Sequence, residues 1–340
     1  MHKIGWILIL CSYLIQPPAL GQSNEGSMHG EGWRKLNANG FIFLSQLDDE
    51  QTTALAVQLG TWKAAVEELI STSDLAVPTY VYLFETQAAL HRFAPETAEA
   101  VLYPSPRGNY LAILNQPGSI RQGLHELAHQ FINNGSGLHD PRWYEEGMAE
   151  YLSRLRLDTD TPTLQQLSMA RVRTATQIDT AMPLEVLLFD NSGLASPLLV
   201  QVANAKAAML LHFLLHAHQQ DGFRDYREGL QNYLALLAEQ RRGRYAFDRG
   251  FPVSLNRLAA EYIRYLQLEN RNPESLSVTI SPQPMLARPE DMTTASALGM
   301  LAELGLNAGF FELAEAYFQQ AGMLAPSVGR YQSGLAVRNH

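Results

Sequence analysis

The chain has 340 residues, 46% of them hydrophobic and 17% charged, which is enough apolar material for one large domain or two ordinary ones and excludes whole-chain disorder. With 25 Lys+Arg against 34 Asp+Glu the formal charge is −9, and no basic block stands out, so nucleic acid is excluded as an expected partner. A single cysteine, Cys11, excludes both a disulfide framework and a thiolate cluster, so any metal site must be built from histidine and carboxylate.

The first 21 residues have the layout of a secretory signal: Lys3, an apolar run from Ile4 to Ile15, then Pro17, Pro18 and the small-residue pattern Ala19-Leu20-Gly21. The run is short for a bilayer span, and Leu10 before Cys11 does not fit a lipid-attachment signal. The expectation is an exported protein, periplasmic or secreted, with no membrane span in the mature chain; the alternative reading, given a single Lys ahead of the apolar run, is an uncleaved anchor. Removal of 1–21 takes Lys3 and Cys11 with it and brings the charge to −10.

Residues 22–118 read as a small α+β part. After a polar, Gly-rich start up to Gly32, Phe41 to Leu47 has strand character, and Asp48 to Ser71 has helical spacing with Leu55, Leu59, Trp62, Val66 and Leu69 near one stripe. Val77 to Phe84 is a second strand, followed by a helical stretch from Thr86 to Phe93. Ala100–Tyr103 and Tyr110–Leu114 flank Pro104 to Asn109 and predict a hairpin. From Ser119 the period is helical almost throughout, so the fold class expected is α+β, with a small N-terminal sheet and its helices ahead of a mainly helical body over 119–270.

That body opens with the residues that carry chemistry. Gly118-Ser119 can cap a helix whose apolar positions Ile120, Leu124, Leu127, Ala128 and Phe131 recur at three and four, with a stop at Asn134-Gly135. On it lies His125-Glu126-Leu127-Ala128-His129. Histidines four apart project from one face, one turn apart, and can bind a single ion, while Glu126, about 100° around, can lean over the open coordination position. A catalytic zinc wants a third protein ligand. Asp140-Pro141 then starts a second helix carrying Glu146 and Glu150 on one face; one can bind the ion while the other accepts the free N–H of a ligating histidine. The plainer reading of the same stripe is solvated carboxylates, with Glu150 paired to Arg154 at i, i+4.

His125-Glu126-x-x-His129 followed by Trp143-Tyr144-Glu145-Glu146-Gly147-Met148-Ala149-Glu150-Tyr151 resembles the gluzincin metallopeptidases, the class that includes thermolysin and aminopeptidase N-like enzymes. It is most similar to a bacterial group with a peptidase-MA-like domain, in which an HE-L-A-H helix precedes a P-x-W-x-x-EG-x-A-E-Y helix. The resemblance implies His125, His129 and Glu146 as Zn2+ ligands, Glu126 as general base, Glu150 as the carboxylate behind a ligand, and a peptide or protein as substrate. Phe247 to Leu266 looks like that family's closing helix. A histidine six residues after His129, which another zinc-peptidase class needs, is replaced by Gly135, and His139 reads as a loop residue.

Gluzincins also carry a Tyr or His that binds the oxyanion, and here the chain departs from the pattern, since no Tyr occurs between Leu152 and Asp225. The corresponding helix, about Leu198 to Gln219, presents Asn204, Lys206, His212, His216 and His218. The expected donor is one of these three histidines or a front tyrosine such as Tyr103 or Tyr110; surface exposure is the plainer reading for the histidines.

Pro282, Pro284 and Pro289 mark a linker over 271–292. Beyond it, within 293–340, Leu298, Leu301, Ala302, Gly309, Ala314, Phe318, Ala321 and Pro326 resemble one tetratricopeptide repeat, read either as a hairpin docked on the body or as a partner-binding unit. Two functions remain: an exported zinc peptidase, or a zinc-containing non-catalytic scaffold that holds a partner through the C-terminal hairpin.

Overall fold

Asn39-Gly40 sets the first hairpin: both residues adopt positive φ (55° and 82°), the turn geometry that matches strand twist. It joins strands β1 (Arg34–Ala38) and β2 (Phe41–Ser45) in antiparallel register, with Ala38 opposite Phe41. The computed structural model describes residues 30–70, 75, 77–136, 141–156, 163–164, 182–189, 196–241, 243–268 and 287–331. The expected signal segment 1–21 and most of the expected linker, 269–286 with Pro282 and Pro284, lie outside them.

After β2, helix α1 (Asp49–Ile70) starts where Asp48 Oδ1 accepts from Gln51 N at 2.8 Å, and it leads to β3 (Thr79–Phe84), which pairs parallel with β2. A single turn, α2 (Gln87–Leu90), replaces the longer helix expected to Phe93; Thr86 caps it and Phe93 is buried beyond it. Next, β4 (Ala100–Ser105) and β5 (Gly108–Leu114) form the predicted hairpin, with the loop confined to Pro106-Arg107. Pro104 fits within β4 because that strand is the sheet edge. A two-residue strand before the C-terminal hairpin, β8 (Glu290–Asp291), pairs with β1, so the end of the expected linker is part of the sheet. The six-stranded order is β4-β5-β3-β2-β1-β8, and a separate two-stranded ladder joins β6 (Leu155–Arg156) to β7 (Thr163–Leu164).

Strand alternation divides the interior into two cores. Phe41, Phe43, Val81, Leu83, Leu111 and Ile113 face one side, against α1, α3 (Pro117–Ser136) and the helical body. Leu44, Tyr82, Phe84, Tyr110, Ala112 and Leu114 face the other. The fold is α+β, a sheet built mainly from the N-terminal part followed by a helical body as expected, and the sheet is covered on both faces. The second cover is the C-terminal hairpin, α10 (Thr294–Asn307) and α11 (Phe311–Leu324), whose Leu298, Leu301, Ala302, Phe318 and Ala321 share the second core. Tyr82 donates across this interface to the Met300 carbonyl at 2.9 Å.

The body behind the first face is organised around one helix. It comprises α4 (Arg142–Leu152), α5 (Leu184–Phe189), α6 (Pro197–His216, with a 3-10 turn to Gln219), α7 (Arg227–Ala238), α8 (Gly243–Gly250) and α9 (Leu255–Leu266). The single closing helix expected over Phe247–Leu266 is broken after Gly250: Pro252 removes a backbone donor, and Ser254 opens α9 by accepting from Arg257 N. Leu198–Gln219 is apolar and long enough to cross a membrane by length and composition, but 67% of its most apolar window is buried inside the fold, as a helix surrounded by protein requires.

Candidate metal centre

Packing on either side of them fixes the two site helices. Leu124, Leu127, Ala128, Phe131 and Ile132 bury one face of α3 in the first core, and Gly123 lets it approach β5, since a Cβ there would lie 2.8 Å from Ile113 Cδ1. His125, Glu126 and His129 are left on the partly open flank. The helix begins at Pro117, two residues before the expected cap; Ser119 is buried, and its hydroxyl donates to Glu99 Oε2 at 3.3 Å. At the far end, the side chains of Asn134-Gly135 and all of His139 and Asp140 lie outside the described residues. Pro141 is itself the N-cap of α4, with Arg142 the first helical residue.

Two contacts hold α4 against its neighbours. At Gly147 it approaches α6 so closely that a Cβ would sit 2.8 Å from the Ala207 carbonyl oxygen. At its C-terminal end, the buried Trp62 of α1 donates from Nε1 to the Leu152 carbonyl at 2.9 Å, and the same indole meets Phe131 of α3 edge-on at 5.7 Å between centroids. Trp62 therefore touches both site helices at once.

Three of the sequence-predicted residues converge. His125 Nε2 and His129 Nε2 are 3.3 Å apart, and Glu146 Oε2 lies 3.7 Å from the first and 4.0 Å from the second. The two rings are nearly perpendicular, at 83°. One ligand atom from each residue falls within 4.8 Å of the others, a group that can bind a metal ion. Glu145, the neighbour of Glu146, is not part of this group.

The electrostatics suit a cation. Burial, with His125 and Arg142 adding to it and Glu146 opposing, lowers the pKa of the His129 imidazole and so favours the neutral form, which has a lone pair to offer. Burial works against the Glu146 charge, but the facing His125 and His129 and the Arg142 guanidinium outweigh it and hold this carboxyl below the usual range. Glu126 goes the other way: burial raises its pKa, Glu146 adds to the rise and His125 opposes it. The two neighbouring carboxyl groups are thus shifted in opposite directions, Glu146 down and Glu126 up.

Glu150 Oε2 faces His125 Nδ1 at 3.8 Å, on the side away from Glu146. Its other oxygen accepts from Arg154 Nε at 2.6 Å. The i, i+4 pair anticipated as a solvated stripe is present but buried, with Glu150 4% and Arg154 3% exposed. Beside these groups lies an open, polar cavity of about 360 Å³ lined by Glu99, Arg121, Gln122, Glu126, Ser153 and Asn204 together with His125, Glu146 and Glu150.

None of the candidate oxyanion donors lines this cavity among the described residues. His212 is buried and shares a hydrogen bond with Tyr265 at 2.8 Å; His216 is stacked on Tyr151 and within 3.2 Å of its hydroxyl. The surface reading of these two also fails, because both side chains are buried in the body, His212 2% and His216 7% exposed. His218 is half-buried on the 3-10 turn. Tyr103 donates to the Phe93 carbonyl and Tyr110 stacks on Tyr80, both on the second face of the sheet. Lys206 points to the Met182 carbonyl at 2.8 Å.

Sequence reasoning gave no role to Arg142 or to Asn204. Arg142 Nη2 donates to Glu146 Oε1 at 3.3 Å and to Asn204 Oδ1 at 3.1 Å. The signal for Arg142 was its place four residues before Glu146, the spacing that also joins Glu150 to Arg154. A scan against protein-family models and a search of curated proteins find no match to this chain.

Proposed function

We propose that the chain is an exported, zinc-dependent peptidase of the gluzincin type, acting on peptide or protein substrates. The observation that carries this reading is the convergence of His125, His129 and Glu146 on one point beside Glu126 and a polar cavity. The donor set fits the ion: zinc bonds of about 2.0–2.1 Å at tetrahedral angles separate neighbouring donors by about 3.3 Å. The two imidazole nitrogens already stand at 3.3 Å, and Glu146 is a few tenths of an ångström further out. Two neutral imidazoles and one carboxylate also leave a bound divalent ion with net positive charge.

Zinc held there would supply the charge that acidifies a water molecule and polarises a substrate carbonyl. Glu126 does the proton work. Its half-buried carboxylate takes the proton of the attacking water and returns it to the leaving amine. Glu150, held by Arg154, lies 3.8 Å from the outer nitrogen of His125, on the side away from Glu146, where it can help orient that ring. The scaffold alternative loses support from the C-terminal hairpin, whose repeat-like apolar residues are spent on the sheet.

Glu126→Gln tests the reading. The variant should keep its fold and one zinc per chain and lose roughly 100-fold or more of its hydrolysis of a peptide mixture. An unchanged product profile, with zinc retained, would leave only the non-catalytic role.

A further inference from the structure

Resting on the zinc assignment above, we infer that Arg142, anchored by Asn204, is a positioning residue that restricts Glu146 to ligating through a single oxygen. The geometry divides the carboxylate between two tasks. Oε1 accepts from Arg142 Nη2 at 3.3 Å, while Oε2 is the atom that faces both histidines, at 3.7 and 4.0 Å. The guanidinium is held from behind, since the same Nη2 donates to Asn204 Oδ1 at 3.1 Å, and Asn204 stands on α6. The carboxylate orientation is therefore set by two helices, its own and α6. Arg142 is the first residue of α4, one turn ahead of Glu146, so its reach along the helix face requires no distortion.

The consequence concerns the number of ligand atoms. A carboxylate with both oxygens available can bind through two and fill the position that water needs; with Oε1 engaged, three donor atoms remain and the site stays open on its fourth corner. Charge and orientation make opposite predictions here. A guanidinium beside a dication repels it, so if Arg142 acted only as a charge its removal would tighten metal binding. If it acts by orientation, removal loosens binding, because the outer partners of ligating side chains are worth about 10–100-fold in affinity.

The test is zinc affinity by chelator competition, and the visible spectrum of the cobalt-substituted protein, for the wild type, Arg142→Met and Asn204→Ala. Arg142→Met should weaken zinc binding roughly 10–100-fold and lower the cobalt absorbance from the strong four-coordinate form toward the weaker five-coordinate form. Asn204→Ala should change both in the same direction by less, which keeps the test intact if Arg142→Met does not fold. Unchanged or tighter zinc binding with an unchanged cobalt spectrum would overturn the inference. A wild type that binds no zinc would instead refute the ligand assignment beneath it.

Discussion

Gly147→Ala sets two effects of opposite sign against each other. In an unobstructed helix the change is favourable by up to about 1 kcal/mol, because alanine loses less conformational freedom than glycine. In α4 the added Cβ would lie 2.8 Å from the Ala207 carbonyl oxygen and 3.2 Å from Leu211 Cβ. A carbonyl oxygen on a buried helix cannot swing aside as a flexible side-chain tip does, so restoring contact at about 3.4 Å requires α4 to retreat by about half an ångström, at an overpacking cost of about 1–3 kcal/mol. The adjacent residue is Glu146, whose Oε2 already stands 3.7 and 4.0 Å from the two imidazole nitrogens. Retreat of α4 shifts this carboxylate relative to the two imidazoles and disturbs the arrangement that would bind an ion. Urea denaturation of the metal-free protein should show a net loss of stability, and chelator competition should show zinc bound about tenfold less tightly. A stabilised variant with unaltered zinc affinity would refute the close approach of α4 and α6.

Trp62→Phe keeps most of the ring packing on Phe131 but removes the donor to the Leu152 carbonyl, leaving a buried acceptor unsatisfied at about 1–3 kcal/mol; denaturation should report that loss together with weaker zinc binding, and equal stability would show that the indole does not brace the site helices. His216, buried between Tyr151 and His212, is held neutral with a pKa lowered to about 4 by burial, with His218 and Arg227 adding to the effect. Because its folded pKa lies below its unfolded value of 6.5, the stabilisation is complete above that value and is lost as pH falls toward about 4. The loss between pH 7.5 and 5 is about 2 kcal/mol. His216→Gln should flatten the stability profile by that amount in the metal-free protein, and an identical pH slope in both would contradict the buried neutral imidazole.

The chemistry-bearing residues were legible because their geometry is local. His125 and His129 need only a continuous helix to share a face, and Glu146 needs only a second helix returning beside the first. The β1 strand was missed although Asn39-Gly40 between Leu36-Asn37-Ala38 and Phe41-Ile42-Phe43 is a strong hairpin signal; Arg34 and Lys35 hid the alternation that continues from Leu36. The break between α8 and α9 was readable from Pro252. Non-local facts were not readable in this way. Period two in Tyr80 to Phe84 makes both sheet faces apolar without saying what covers each one, and nothing in residues 294–324 specifies the sheet as the partner of their apolar stripe. The histidines of α6 look like surface residues until they are known to be buried; their tyrosine partners come from 53 and 65 residues away. The candidate oxyanion donors belong to the same class, because whether a side chain reaches the cavity depends on which distant element faces it.

Zinc titration of the metal-free chain, followed by equilibrium dialysis of His125→Ala, His129→Ala and Glu146→Gln, tests the ligand set most directly. The wild type should bind one zinc per chain tightly, either histidine variant should release it, and Glu146→Gln should weaken it while circular dichroism shows the fold unchanged. Stoichiometric zinc retained with wild-type affinity by His129→Ala would contradict the account.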